Sequence, residues 1–159
     1  MSATTSELPR VGELAPDFTL MSTSGTNVTL SALRGQKHVL LAFFPLAFTR
    51  VCTAELCDFG TDFDQFAGAD VEVFPISVDA GPSLREFRSK YDMKVELLSD
   101  FKREASRAYG VLNEDTFFAN RAYFLIDKQG VLRWAHVEET IGQKRDNVEI
   151  LAAIKSVTG

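Results

Sequence analysis

The chain has 159 residues, 45% hydrophobic and 25% charged, with a formal net charge of -5. That size fits one domain spanning 1–159 with a sizeable core, and the composition is that of a globular protein. The acidic balance argues against a general affinity for nucleic acid or anionic membranes, which need basic surface.

The opening segment, MSATTSELPR, is polar and lacks the charged start and apolar stretch of a secretory signal. Residues 1–7 read as a flexible arm. No run reaches transmembrane length, since VLLAFFPLAF is short and broken by Pro45. The chain therefore reads as cytoplasmic. In that reducing setting Cys52 and Cys57 are poor candidates for a permanent staple, and reactive or transient thiol chemistry is the better expectation. The thirteen Phe predict a core rich in aromatic rings.

Along the chain, DFTLMSTSGTNVTL alternates apolar and polar residues around a turn, the pattern of a small N-terminal β-hairpin. HVLLAFF is a continuous apolar run ending at Pro45, as in a strand buried on both faces. A helix is predicted from about Thr49, with Cys52, Leu56, Phe59, Phe63 and Phe66 on one face. VEVFPISVD reads as a second buried strand despite Pro75. Pro82 suits the first turn of a helix carrying Leu84, Phe87 and Tyr91. DFKREASRAYG opens with a candidate N-cap, Asp100, and closes with Gly110. RAYFLID and VLRWAHV flank a turn at Lys128-Gln129-Gly130, and a last amphipathic helix runs from about Asp146 to Val157. The order predicts an α/β layer fold with a mixed central sheet flanked by helices.

The two cysteines lie in FFPLAFTRVCTAELC. If Thr49 is the N-cap, Cys52 is the third helical residue, close to the cap hydroxyl and to amides that have no partner within the helix. That end of a helix favours an anion, and a thiolate is one. Cys52 also falls in register with the apolar face, so a small buried hydrophobe is an equal reading from these residues alone. Arg121, at a strand start, reads by pattern as a surface ion pair of little energetic weight. His38 and His136 have no metal-like spacing to each other or to Cys52, which argues against a zinc site.

Taken together, Pro45, Thr49 and Cys52 form P-x-x-x-T-x-x-C, directly after a buried strand and opening a helix. This resembles the active-site signature of the peroxiredoxins, thiol peroxidases on a thioredoxin-like fold. VGELAPDFTL resembles their N-terminal strand, and RAYFLID resembles the strand carrying their catalytic arginine. The likeness spans roughly residues 8–157.

The resemblance implies that Cys52 is the peroxidatic cysteine, passing through a sulfenic acid. It implies that Thr49 hydrogen-bonds the peroxide, that Arg121 supplies positive charge, and that Pro45 shields the pocket. Glu55, in the first helical turn, is a supporting residue that could pair with Arg50 or Arg121. No metal, flavin or haem is implied. The implied partners are a hydroperoxide and a reductant, which could be thioredoxin, glutaredoxin or a low-molecular-weight thiol. A homodimer is also implied, with Phe48, Phe117 and Phe118 as candidate interface residues.

Cys57 has two readings. The spacing C-x-x-x-x-C resembles the bacterioferritin comigratory protein type, in which the second cysteine resolves the first. FFPLAFTRVC is more similar to the AhpE type, which often works with one cysteine and an outside thiol. Five residues of ideal helix separate two Cα atoms by roughly 8–9 Å, whereas a disulfide needs less than about 7 Å. Direct pairing therefore requires the helix to unwind. Two other functions compete. Thioredoxin-like disulfide exchange usually wants C-x-x-C. A redox sensor would use the same Cys52 chemistry and pass the oxidation to a protein partner.

Overall fold

The computed structural model describes residues 8–139, 144–145 and 147–158; the predicted arm at 1–7 lies outside them. The predicted hairpin is β1 (Thr19–Ser22) and β2 (Asn27–Thr29), and the predicted buried strands are β3 (His38–Phe43) and β4 (Val71–Ser77). A two-residue strand, β5 (Leu98–Ser99), was not foreseen. It joins the hairpin to β4 and so completes the sheet. The late hairpin is β8 (Ala122–Ile126) and β9 (Leu132–Val137). A separate short ribbon pairs β6 (Leu112–Asn113) with β7 (Phe118–Ala119).

The described strands form a sheet in the order β2-β1-β5-β4-β3-β8-β9. The β5-β4-β3 core is parallel and the outer pairs are antiparallel, so the sheet is mixed as expected. Pro75 is tolerated in a central strand because β4 pairs with β5 only from Ile76 onward, just past the residue that lacks an amide proton.

Side-chain alternation in β3 divides the core. Leu40, Ala42 and Phe44 face one layer, and Val39, Leu41 and Phe43 face the other. On the first side lie α1 (Arg50–Thr61), α2 (Phe63–Gly68), α3 (Gly81–Lys90) and α5 (Asn147–Thr158), which contribute Leu56, Phe59, Phe66, Leu84, Phe87, Ile150 and Ile154. On the second side, α4 (Glu104–Ala108) and the residues after it supply Ala105, Tyr109 and Val111. Each fully buried Leu or Phe stabilises the fold by roughly 1.5–3 kcal/mol relative to exposure. The aromatic core follows from the Phe count: Phe43, Phe124 and Tyr109 meet edge-on or tilted at 5.0–5.8 Å between centroids.

Three local expectations change. The single helix predicted through Phe66 is two, broken at Asp62, which ends α1 and starts α2. There the Asn147 amide donates to the Asp58 carbonyl at 2.7 Å and to the Asp62 carboxylate at 2.9 Å, so the junction is tied to α5. Asp100 does not occupy the cap position of α4; Arg103 does, in a left-handed conformation with φ 64°. Asp100 still satisfies that helix end, accepting the amides of Ala105 at 3.0 Å and Ser106 at 2.7 Å. The segment before Arg121 is not a plain loop but the turn of the β6–β7 ribbon, with Phe117 at φ 62°.

Candidate active site

The site forms where β3 ends and α1 begins. The chain leaves β3 through Phe44 and Pro45, turns through Phe48 at φ 65°, and enters α1 at Arg50. A bulky residue rarely adopts that φ, so the turn must be held by its neighbours. The Ala47 amide donates to Asp79 Oδ2 at 2.8 Å, and the Ser77 hydroxyl holds the same oxygen at 2.7 Å. The Phe48 ring packs on Phe87 of α3 at 4.8 Å between centroids.

Thr49 is the N-cap residue, with extended backbone as predicted. Its side chain does not cap the helix. The hydroxyl donates to the Leu46 carbonyl at 2.8 Å. This leaves the hydroxyl's lone pairs available to accept a hydrogen bond, and fixes it within the turn.

Cys52 sits on the first turn of α1 and is 1% exposed. It lines a pocket of about 210 Å³ together with Pro45, Leu46, Thr49, Arg50, Val51, Phe118 and Arg121. Arg121, immediately before β8, is equally buried. Its Nη2 donates to Cys52 Sγ at 2.9 Å and its Nη1 to Glu55 Oε1 at 2.7 Å. The guanidinium thus bridges the thiol and a carboxylate three residues further along α1. Residues three apart on a helix share a face, which puts Glu55 beside Cys52. Glu55 stands in the second turn of α1 and not in the first as expected, because the helix begins at Arg50; of its two candidate partners, Arg121 is the one it meets.

The electrostatics of this buried trio are coupled. Burial works against the Arg121 charge, but Glu55 and Cys52 more than offset it and hold its pKa above the ordinary value. Burial pushes the Glu55 carboxyl up, against the pull of Arg121 and Tyr123. A fixed cation in a dry cavity interacts more strongly with an anion than it would in water.

Cys57 occupies different ground. It lies within the same unbroken α1, half-buried, and borders a hollow lined by Gly60, Tyr91, Asp92, Met93 and Lys94. Burial raises its pKa, and the neighbouring Asp58 adds to the effect. No disulfide joins the two cysteines in the structure. His136 bonds to Glu138 at 3.1 Å and stacks on Trp134. Among the described residues, no group of three or more His, Cys, Asp or Glu side chains could hold a metal ion. No helix among them is long and apolar enough to cross a membrane.

Sequence reasoning did not assign Phe118 or Tyr123 to the site. Phe118 lines the same pocket as Cys52. Tyr123 is fully buried and its hydroxyl donates to Glu55 Oε2. A signal for Tyr123 was present: residues two apart in a strand face the same way, so an Arg121 aimed at α1 carries Tyr123 toward it.

A buried thiol at a helix start, touched by a guanidinium within a small pocket, defines a thiol-based redox centre. Comparison with known proteins gives the family. Residues 11–135 match the model of the AhpC/TSA family. The chain is 40% identical over 149 residues to alkyl hydroperoxide reductase E of Mycobacterium tuberculosis, covering 91% of this chain and 97% of that one. It is 38% identical to a putative peroxiredoxin of Synechocystis, covering 95% and 81%. Its structure is similar to the mitochondrial 2-Cys peroxiredoxin of Plasmodium falciparum, with a TM-score of 0.85 and 31% identity over 93% of this chain and 94% of that one. It is likewise similar to Mycobacterium tuberculosis AhpC, with a TM-score of 0.85 and 25% identity over 96% and 100%. The chain belongs to the AhpC/TSA family, the peroxiredoxins, with their thioredoxin-like fold, and is a thiol-dependent peroxidase. Within that family its similarity to alkyl hydroperoxide reductase E agrees with the AhpE-type likeness of FFPLAFTRVC.

Proposed function

We propose that Cys52 is the peroxidatic thiol and reduces hydrogen peroxide and organic hydroperoxides. The observation that carries this reading is the Arg121 contact to Cys52 Sγ at the floor of a pocket opening on the start of α1. The Cys52 thiolate attacks the outer oxygen of the hydroperoxide. The O–O bond breaks, the inner oxygen leaves as water or an alcohol after taking a proton, and sulfur retains the outer oxygen as a sulfenic acid. Negative charge builds on the leaving oxygen, where the Arg121 guanidinium stabilises it, while the Thr49 hydroxyl, its own proton held by the Leu46 carbonyl, accepts a hydrogen bond from the O–H of the hydroperoxide. Pro45 shields the pocket from water, and Glu55 supports Arg121. Leu46, Val51 and Phe118 make much of the lining apolar, which favours an organic group on the substrate.

Cys57 then attacks the sulfenic sulfur, water leaves, and an intrachain disulfide forms after the first turns of α1 unwind. Thioredoxin, glutaredoxin or a small thiol reduces it. A second reading has its own support. The unbroken helix and the raised pKa of Cys57 favour an external thiol as resolver, as in a one-cysteine enzyme. A sensor that hands the oxidation to a protein partner would use the same first step. Intact mass after one equivalent of hydrogen peroxide separates these. Loss of two hydrogens in the wild type but not in Cys57→Ser identifies Cys57 as resolver; gain of one or two oxygens in both proteins identifies an external thiol.

The working location in this proposal is the cytoplasm, and the working form is a homodimer. Phe48 and Phe117, 47% and 44% exposed, supply apolar surface beside the site. Gel filtration of Phe48→Arg tests the dimer: an unchanged elution volume counts against an interface there.

A further inference from the structure

Glu55 is held from two sides. Its Oε1 accepts from Arg121 at 2.7 Å, and its Oε2 accepts from the hydroxyl of Tyr123. That hydroxyl is itself fixed, because its oxygen accepts the Arg145 amide at 2.9 Å. A phenol has one proton to donate, and here it points at the carboxylate. The ring is immobilised as well, with Trp134 and His136 each 6.5 Å away between centroids. A chain of contacts therefore runs from the backbone at Arg145 through Tyr123, Glu55 and Arg121 to the sulfur of Cys52.

We infer that Tyr123 is a positioning residue for the peroxidase reaction: its hydroxyl fixes the Glu55 carboxylate, which in turn aims the Arg121 guanidinium at Cys52. The inference rests on the reading of Cys52 and Arg121 given above. Without the hydroxyl, Oε2 is a buried carboxylate oxygen with its main donor gone. Glu55 must then rotate, take a proton or draw more heavily on Arg121, and each outcome shifts the guanidinium relative to the sulfur. Burial and the adjoining carboxylate push the Tyr123 pKa upward, so the hydroxyl keeps its proton and remains a donor across the working pH range. Buried networks of this kind act as units, so the coupling between members is the quantity to measure.

The test is the rate constant for Cys52 oxidation by hydrogen peroxide in a single turnover, followed by quenched intact mass. Wild type, Tyr123→Phe, Glu55→Gln and the double variant are compared. Phe keeps the ring and its packing. Tyr123→Phe is expected to slow oxidation about tenfold, because small misplacements of a reacting constellation are costly. In the Glu55→Gln background the same change should matter less than twofold. The pH profile of Tyr123→Phe should gain an acid-side inflection from Glu55, absent in the double variant. His136 and Glu138 stay in all four proteins and cancel from the cycle. If Tyr123→Phe fails to fold, Tyr123→Met, also without a hydroxyl, should show the same loss. A wild-type rate and profile for Tyr123→Phe, or an equal loss in both backgrounds, overturns the inference. Arg121→Gln serves as the control. If it oxidises at the wild-type rate, the reading of the Cys52 centre falls; if it is slow while Tyr123→Phe is fast, only the Tyr123 assignment falls.

Discussion

Cys52 and Cys57 share one helix and one unbroken stretch of backbone, yet their surroundings differ in every physical respect that governs a thiol. Cys52 is sealed at the helix start against a buried guanidinium. Cys57 is half-buried on another face, beside the Asp58 carboxylate, and its pKa is raised. Five residues of helix turn the side chain away from its predecessor's face. The helix alone therefore cannot give both cysteines the same role. What separates them is the tertiary partner each one meets: the start of β8 for Cys52, and the end of α3 with the residues after it for Cys57.

That contrast can be broken by removing the cation. Arg121→Gln should slow Cys52 oxidation by roughly 10²–10³-fold, the scale expected for loss of a charged donor at a developing anion, while leaving Cys57 alkylation unchanged. Stopped-flow oxidation and a parallel alkylation series check both halves. Slow Cys52 oxidation accompanied by faster Cys57 alkylation would mean a general loss of structure, because unfolding exposes a half-buried thiol. Thr49→Val should cost about tenfold in the same assay, with most of the rate restored in Thr49→Ser, because only the hydroxyl is at issue. A Thr49→Ser variant as slow as Thr49→Val would assign the loss to packing.

A smaller effect sharpens the other side of the comparison. In a Cys52→Ser background, iodoacetamide should modify Cys57 several-fold more slowly at pH 7 than it modifies a small unhindered thiol, since only the thiolate reacts. The sign follows from burial: a raised pKa leaves less thiolate at neutral pH, so the rate should keep climbing past pH 9.0, the ordinary value. A plateau below that pH would contradict the assignment.

Much of this was legible in the sequence, for identifiable reasons. The strands β3 and β8 are apolar runs, and β4 is apolar apart from Glu72 and its terminal Ser77; a two-faced sheet requires such runs. Thr49 and Cys52 could be placed because capping residues mark a helix start in the chain itself. Arg121 could be named from its place before a strand only through the family likeness; by pattern alone it reads as a surface ion pair, whereas it is 1% exposed. What stayed hidden depends on register between distant segments. Tyr123 meets Glu55 across 68 positions of chain, and Ala47 meets Asp79 across 32. The break at Asp62 was hidden for the same reason, since Asn147 is 85 residues away. The Thr49 hydroxyl departs from ordinary capping because the strained turn at Phe48 brings the Leu46 carbonyl within its reach.

The central claim is that Cys52, and not Cys57, meets the peroxide. The most direct measurement is steady-state consumption of hydrogen peroxide by Cys52→Ser and Cys57→Ser with dithiothreitol as the reductant. The account predicts no turnover above background for Cys52→Ser, and continued turnover for Cys57→Ser because the added thiol resolves the sulfenic acid. Turnover that survives in Cys52→Ser would contradict it.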